Sequence, residues 1–546
     1  MPWIALVGPE FEENLSLRYL ASSLQQAGFD SRLLAFNRDL DLVRIADAIL
    51  EADEPPIVVG LSLSFQWRAR DFLALAMTLK ERGYAGHITA GGHFATFACA
   101  ELLRDFPELD SICRQEAEGT MVTLARAVQA GAGPAALAEI PGLGVRDAGG
   151  QVVLTAQPAL PDLAKLPWPD RRGEPAACFG HPIAPLVGSR GCYANCTFCC
   201  IAAWHEESQP GKRYRLREPA DVADEMVALQ RTRGIDIFVF HDDNFFVPGH
   251  RKNAERFARL ADALEARGIG RYATVVKARP TDADPEVFRI LKERLHCIRV
   301  YVGVETDADQ GLKTLGRWAH SKQNHRAIEL VRELELYTCF NMLIFDPDTT
   351  VASIETNLAF MREAPEFPFN FGRVELYAGT PLLGRMQFER RCVGDYMQWD
   401  YALASVEVER IFELSLTCFR ERNFGEDALA NRIMGTRFDV EVARHFHPEL
   451  FRPEWLEEGK RLNRALALDT VDALAEIVAH VKNAADDDEE RLVATLRRRL
   501  RAKEEEVGAG ARALARSISD VIGRGLPLTE LGDRVATPLQ RARAEG

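Results

Sequence analysis

Two long series of short apolar runs, separated by helix-length amphipathic stretches, restrict the fold of this chain more than any other feature. The first series is WIALVG, SRLLAF, IVVGLSLS, HITAGG and LDSICR, interleaved with segments such as LRYLASSLQQAGF and FLALAMTLKERG. Strand-length runs joined by helix-length segments make βαβ units, and a row of them makes a doubly wound, Rossmann-like parallel sheet. Ligands of such sheets sit beyond the carboxyl ends of the strands. The residues that deserve inspection are therefore Gly8–Asn14, Ser62–Arg70 and Gly91–Thr96. The second series is IAPLVGSRG, IDIFVFHDD, RYATVVKARP, CIRVYVGVET, TCFNMLIFD and FNFGRVELYAGTPL. About six βα repeats make a partial barrel, short of the eight that close one.

The predicted organisation is α/β: a doubly wound domain over 1–135, a Gly-, Pro- and Ala-rich linker over 136–180, a partial (β/α)6 barrel over 181–391, and a mainly helical region over 392–546. In that last region Asp486–Glu490 precedes RLVATLRRRLRAKEEE, which reads as a solvated, charge-laced helix.

The net charge of −14 offers nothing in bulk to neutralise phosphates, which argues against a nucleic-acid partner. The opening MPWIALVGPEFEENL lacks the basic start of a signal peptide, and no apolar run approaches the roughly 18 residues of a membrane span. A cytoplasmic location is the expectation. Eleven cysteines, an odd number, do not form a secreted disulfide framework. Cys99, Cys113, Cys178, Cys297, Cys339, Cys392 and Cys418 are isolated and read as buried packing residues.

The remaining four lie in GSRGCYANCTFCC, Gly188 to Cys200. Cys192, Cys196 and Cys199 have the spacing C-x-x-x-C-x-x-C. Zinc wants four ligands, usually as two separated pairs, and no second pair follows. Cys196 and Cys199 alone meet the spacing of a redox pair. Three thiolates from one loop suit an iron–sulfur cube with one iron left without a cysteine. Cys200, adjacent to Cys199, should point away, because neighbouring side chains diverge.

With Phe198 before its last cysteine, this loop resembles that of the radical S-adenosylmethionine (SAM) superfamily. The resemblance implies a [4Fe-4S] cluster on Cys192, Cys196 and Cys199, whose open iron is chelated by SAM and whose electron cleaves the sulfonium to a 5′-deoxyadenosyl radical. It further implies SAM contacts from Phe198, from Asp242 and Asp243 in FVFHDDNFF, from Lys277 and Arg279 in VVKARP, and from Glu305 in VGVET. Carboxylates suit the ammonium and cations suit the carboxylate of the amino acid. The fifth run ends in LIFDPDTT, which keeps turn chemistry at Asp346-Pro347-Asp348 without the glycines usual there.

A doubly wound domain ahead of such a barrel resembles the cobalamin-binding members of that superfamily. No G-x-G-x-x-G follows the first strand, so a nicotinamide domain fits worse. The resemblance implies cobalamin contacts from Glu10, Asn14, Ser62, Ser64, Gln66, Trp67, Arg68, Arg70, Gly91, Gly92 and His93, with the glycines giving the nucleotide tail a bare backbone. Many such domains carry D-x-H-x-x-G in the first loop; GPEFEENLSL has no histidine, so no axial ligand is expected from that motif. The implied function is methyl transfer from SAM, through methylcobalamin, to a carbon or phosphorus centre of a small-molecule or peptide substrate of natural-product or cofactor biosynthesis. An external electron donor such as flavodoxin or ferredoxin would supply reducing equivalents. A ring-forming, ring-contracting or oxidising enzyme with the same cofactors, or a non-catalytic cobalamin-binding regulator, are the alternatives. Tyr301 is a candidate catalytic residue, and the region 392–546 is where substrate specificity is expected.

Overall fold

A computed structural model describes residues 2–208, 214–425, 428–483 and 488–523. The first sheet has the order β2-β1-β3-β4-β5-β6-β7. Its strands are β1 (Trp3–Gly8), β2 (Asp30–Ala35), β3 (Val58–Ser62), β4 (His87–Gly91), β5 (Ser111–Cys113), β6 (Leu143–Arg146) and β7 (Val152–Leu154). β1 to β5 are parallel, while β6 and β7 run antiparallel at one edge. β1 and β3 are buried along their whole length, as strands covered by helices on both faces must be. The strand order reverses between β1 and β3, and that reversal opens a crevice at the carboxyl edge.

The segment 136–180 is therefore more than a linker, since it supplies β6 and β7. Glycine density hid them, and packing explains at least one of those glycines. A Cβ on Gly144 would lie 2.2 Å from Cys99 Sγ. Residues 155–176 contain neither strand nor helix and run from the first sheet to the second.

The second sheet is β16-β15-β14-β13-β12-β9-β8. β8 (Ala177–Cys178) is antiparallel to β9 (His181–Leu186), and β10 (Ser189–Gly191) with β11 (Tyr214–Leu216) forms a separate ribbon. β9, β12 (Ile237–Phe240), β13 (Ala273–Ala278), β14 (Cys297–Val302), β15 (Tyr337–Phe345) and β16 (Phe369–Arg373) are the six parallel strands of a partial barrel. Alternation along these strands splits their side chains between two cores. Phe238, Phe240, Val276, Val300, Phe340 and Met342 pack outward against the barrel helices. Ile237, Val275, Tyr337 and Cys339 face the lumen, where they meet Leu429, Ile433 and Phe438. The helix Leu429–Phe446 thus fills the side that two missing repeats leave open, and the Tyr337 hydroxyl donates to the Met434 carbonyl at 2.6 Å.

β17 (Cys392–Asp395) and β18 (Gln398–Tyr401) form a hairpin, after which the described chain is helical. Arg422, in a π-helical turn, is buried among three helices. It donates to Asp469 at 2.7 Å, Glu504 at 2.9 Å and the Leu500 carbonyl at 2.6 Å. Removing one partner from such a buried network costs about 3–5 kcal/mol, which explains how polar helices are held in one arrangement. Glu489–Ile522 buries Leu496, Leu500, Val507, Leu514 and Ile518 on one stripe and exposes its charged face; Asp486 and Asp487 lie outside the described residues. No helix among the described residues is long and apolar enough to cross a membrane.

Candidate functional site

The cysteine loop leaves β9 at the carboxyl end of the barrel and is tied down on both sides. Asp242, buried just beyond β12, accepts from the Gly188 N–H at 2.9 Å and the Ser189 hydroxyl at 2.5 Å. Asp243 accepts from the Gly191 N–H at 3.0 Å. On the far side, the Thr197 N–H donates to the Leu315 carbonyl at 3.0 Å and its hydroxyl to the Thr314 carbonyl at 2.6 Å. Gly316 is required there: its φ is +60°, and a Cβ would stand 2.9 Å from the Thr197 methyl. The Tyr193 hydroxyl donates to Asp282 at 2.6 Å.

All three loop thiols are free, and no three His, Cys, Asp or Glu side chains among the described residues converge on a single ion. A cubane spreads its cysteines over three irons, so separated thiols on one pinned loop fit it. Burial raises the Cys192 and Cys199 thiols above their ordinary range. The compensating charge is Arg317, whose buried guanidinium lies 3.3 Å from Cys196 Sγ and also donates to the Gly303 carbonyl. Cys200 opens the helix Cys200–Ser208, and burial pushes its thiol up to about 12.

The other barrel residues singled out from sequence divide into braces and free groups. Asp242 spends both carboxylate oxygens on the loop backbone and on Ser189. Asp243 keeps one face towards a cavity; burial, opposed by Lys277, raises its carboxyl to about 6. Arg279 donates to the Arg317 carbonyl and lies over the Tyr193 ring, 5.8 Å from its centroid. Glu305 occupies the left-handed region at φ +64°. Burial raises its carboxyl, opposed by Arg317 and Arg279. Phe198 packs on the barrel's outer core. Tyr301 stands in one cross-strand row with Lys277 and Cys339, each paired with the next through β13, β14 and β15. The Asp346–Asp348 turn holds its place through ion pairs in lieu of glycines: Asp348 accepts from Arg385 at 2.8 Å and Arg391 at 2.9 Å.

A cavity of about 650 Å³ lies between the two sheets, at the crevice that the β1/β3 reversal opens. Asn14, Ser62, Ser64, Trp67, Gly91, Gly92 and His93 line it from the first domain, and Arg190, His205, His241, Asp243 and Lys277 from the barrel. Asn14 caps the helix Leu15–Gln26, and the Ser62 and Ser64 hydroxyls are 3.4 Å apart. Glu10 is turned aside: it accepts from Arg18 at 2.7 Å and from the Asn14 N–H at 3.0 Å.

The loop after β3 differs from its expected role at Gln66 and Arg70, while Arg68 lines the cavity and keeps its Nη2 unpaired there. Its Gln66–Arg68 turn folds Arg68 back over Phe36 and Phe72, where it donates to the Asn37 carbonyl at 2.8 Å and to Asp71 at 2.9 Å. Gln66 reaches across to the Leu376 carbonyl at 2.8 Å, and Arg70 is exposed on the helix that follows. Trp67, loosely stacked on Phe65 at 6.1 Å, and Arg68 each present an unpaired polar atom to the cavity wall. Gly92 has its own packing reason: φ is +112°, and a Cβ would meet the Leu63 carbonyl and Ser64 Cα at 2.9 Å.

Sequence reasoning missed the aromatic seam on the barrel side. His93 packs on Trp204 at 4.8 Å and Trp204 on His205 at 4.7 Å. Burial lowers His93 to about 4 and His205 to about 3, so both imidazoles are neutral at pH 7. The side chains of Trp67, Gln115, Glu118, Trp204 and His205 each leave a buried polar atom without a hydrogen-bond partner in this cavity's wall. Native interiors rarely leave such groups unpaired, and so many around one space fit a ligand fringed with amides, as a corrin is. Glu12 and His241, 3.0 Å apart, close the cavity between the domains.

The chain matches the model of the B12 binding domain over residues 4–125 and that of the Radical SAM superfamily over 186–360. It is 24% identical to an uncharacterized methyltransferase of Pyrococcus horikoshii over 72% of this chain and 78% of that one. It is also 24% identical to the anaerobic magnesium-protoporphyrin IX monomethyl ester cyclase of Cereibacter sphaeroides, over 70% of this chain and 61% of that one. Its fold matches the cobalamin-dependent S-adenosylmethionine radical enzyme OxsB with aqua-cobalamin bound, with a TM-score of 0.65 at 18% identity over 96% of this chain and 85% of that chain.

Proposed function

From the premise that this chain belongs to the cobalamin-binding radical SAM enzymes, we propose that it transfers a methyl group from SAM to a carbon or phosphorus centre of a small biosynthetic substrate. The observation that carries this reading is the shared cavity: Asp243 and Lys277 of the barrel open into the same space as Ser62, Ser64, Gly91 and Gly92 of the first domain. A methyl group can pass between two cofactors only if both face one chamber. When bound, the cluster supplies an electron to SAM and cobalamin supplies a methyl carrier.

The chain's residues do the rest. Cys192, Cys196 and Cys199 hold the cluster, with Arg317 balancing charge at Cys196. Asp243 receives the ammonium of SAM, Lys277 and Arg279 face its carboxylate, and Glu305 lies by the ribose. The first-domain loops seat the corrin against Trp67, and the helix Leu429–Phe446 closes the lumen and excludes water. The substrate sits beside Lys277, where the barrel opens into the shared cavity.

The experiment supplies SAM labelled in its methyl group. Label in the product, with 5′-deoxyadenosine and S-adenosylhomocysteine both formed, supports methyl transfer. 5′-Deoxyadenosine without S-adenosylhomocysteine or product label replaces it with the ring-forming reading, which the cyclase relative favours.

The Asp243 assignment carries a pH dependence. Asp242, Glu116, His205 and Lys277 surround the carboxyl, and its value near 6 means that it is mostly protonated at pH 5. An ammonium needs the carboxylate form, so SAM affinity should rise about tenfold per unit below pH 6 and level off above 7. Titration of SAM into the cluster-loaded enzyme measures this, and Asp243→Asn should bind weakly with no such slope.

A further inference from the structure

The segment that follows β5, residues 114–118, is gripped by both flanks of the cysteine loop. Ahead of the loop, Arg190 donates to Glu116 at 2.6 Å and pairs with Glu118 at 2.6 Å. Behind it, the helix Cys200–Ser208 ends on Glu207, 3.4 Å from Arg114, and on the Ser208 hydroxyl, which donates to Gln115 Oε1 at 2.6 Å. The same segment walls the cavity between the domains, which Gln115, Glu116, Ala117 and Glu118 all line.

Gln115 stands at the centre of this grip. Its φ is +61°, a left-handed conformation that glycine and asparagine take readily and glutamine does not. Its N–H donates to the Thr96 hydroxyl at 3.1 Å, which fixes the backbone there. The side chain is 4% exposed, with Oε1 held by Ser208 and Nε2 without a partner. Burying an amide N–H with no acceptor is costly, and so is holding a glutamine in this backbone conformation. Both costs are recovered if a ligand in the cavity supplies the acceptor. The two amide atoms are thus divided, one to the barrel and one to the cavity.

We propose that Gln115 is a cobalamin-binding residue set in place by the barrel: Nε2 donates to an acceptor on the amide fringe of the cofactor, and Ser208 holds the side chain in the orientation that does so. The helix that leaves the cysteine loop thereby governs cobalamin affinity, and one hydrogen bond joins the two cofactor sites. Ser208 is the positioning residue, since it touches Gln115 and does not line the cavity. The proposal rests on cobalamin binding and holds whether or not the product is methylated.

The test titrates aquacobalamin into the full-length, cluster-loaded enzyme freed of cobalamin, followed by quenching of tryptophan fluorescence. Gln115→Met keeps the length of the side chain and removes both amide atoms, and affinity should fall about tenfold. Ser208→Ala should cost about fivefold. The double variant should bind no more weakly than Gln115→Met, because Ser208 acts through Gln115 alone. Gln115→Asn tolerates the left-handed backbone but is too short to reach; it should bind as weakly as Gln115→Met while melting no lower than the unaltered enzyme. Unchanged affinity in Gln115→Met and Gln115→Asn overturns the proposal. So does a Ser208→Ala enzyme that binds like the unaltered one, or a double variant in which the two losses multiply.

Discussion

Cys196→Ala should leave the protein folded but without iron, and SAM cleavage should fall to background. Cys196 is the deepest of the three loop thiols, at 8% exposure, and the one against which Arg317 is placed. On the proposed function, its loss removes one of three cluster ligands, and it strands a buried guanidinium. Cys200→Ala should keep its iron, because Cys200 begins the helix Cys200–Ser208 and its position neighbours the loop without being on it. The cost there is the packing of one small thiol, about 1 kcal/mol or less. Iron and sulfide content, read beside 5′-deoxyadenosine formation, separates the two. Equal iron loss in both variants would mean that the fourth cysteine takes part in holding the cluster, and the division into three ligands and one packing residue would fail.

The parts of this site that can be read from sequence are those whose determinants are local. Cys192, Cys196 and Cys199 stand out by spacing, and the structure holds all three on one pinned loop, as the proposed cluster would need. The six barrel strands declare themselves as short apolar runs between helix-length segments, because both faces of each are buried, one by the following helices and one in the lumen. Positions set by a distant partner do not. Arg68 looks like a free cation in FQWRAR, yet Phe36 and the Asn37 carbonyl at the end of β2 capture it. Gln66 is committed to Leu376, 310 residues away. β6 and β7 were masked by glycines, one of which, Gly144, is small because Cys99 packs against it. The seam of His93, Trp204 and His205 exists only because two domains face each other, and no single stretch of sequence carries it.

Arg317 is the clearest case of that kind, in LGRWAH with no motif around it, and its removal should have the second largest effect. The guanidinium is 5% exposed, reaches Cys196 Sγ at 3.3 Å, bonds the Gly303 carbonyl and faces Glu305. A unit charge about 4 Å from a thiolate is worth roughly 4 kcal/mol at an effective dielectric near 20. That interaction favours added negative charge on the cluster and so favours its reduction. Arg317→Met, which keeps volume and loses charge, should retain iron, lower the cluster midpoint potential by at least about 60 mV, the equivalent of tenfold in the equilibrium, and slow SAM cleavage about 10- to 100-fold. Arg317→Lys should fall between, because an ammonium restores the charge but cannot fork to both Cys196 and Gly303. A merely structural arginine would predict the reverse order of evidence: a lower melting temperature with an unshifted potential. An Arg317→Met enzyme with full iron, an unchanged potential and undiminished cleavage would remove Arg317 from the cluster's surroundings as a functional group.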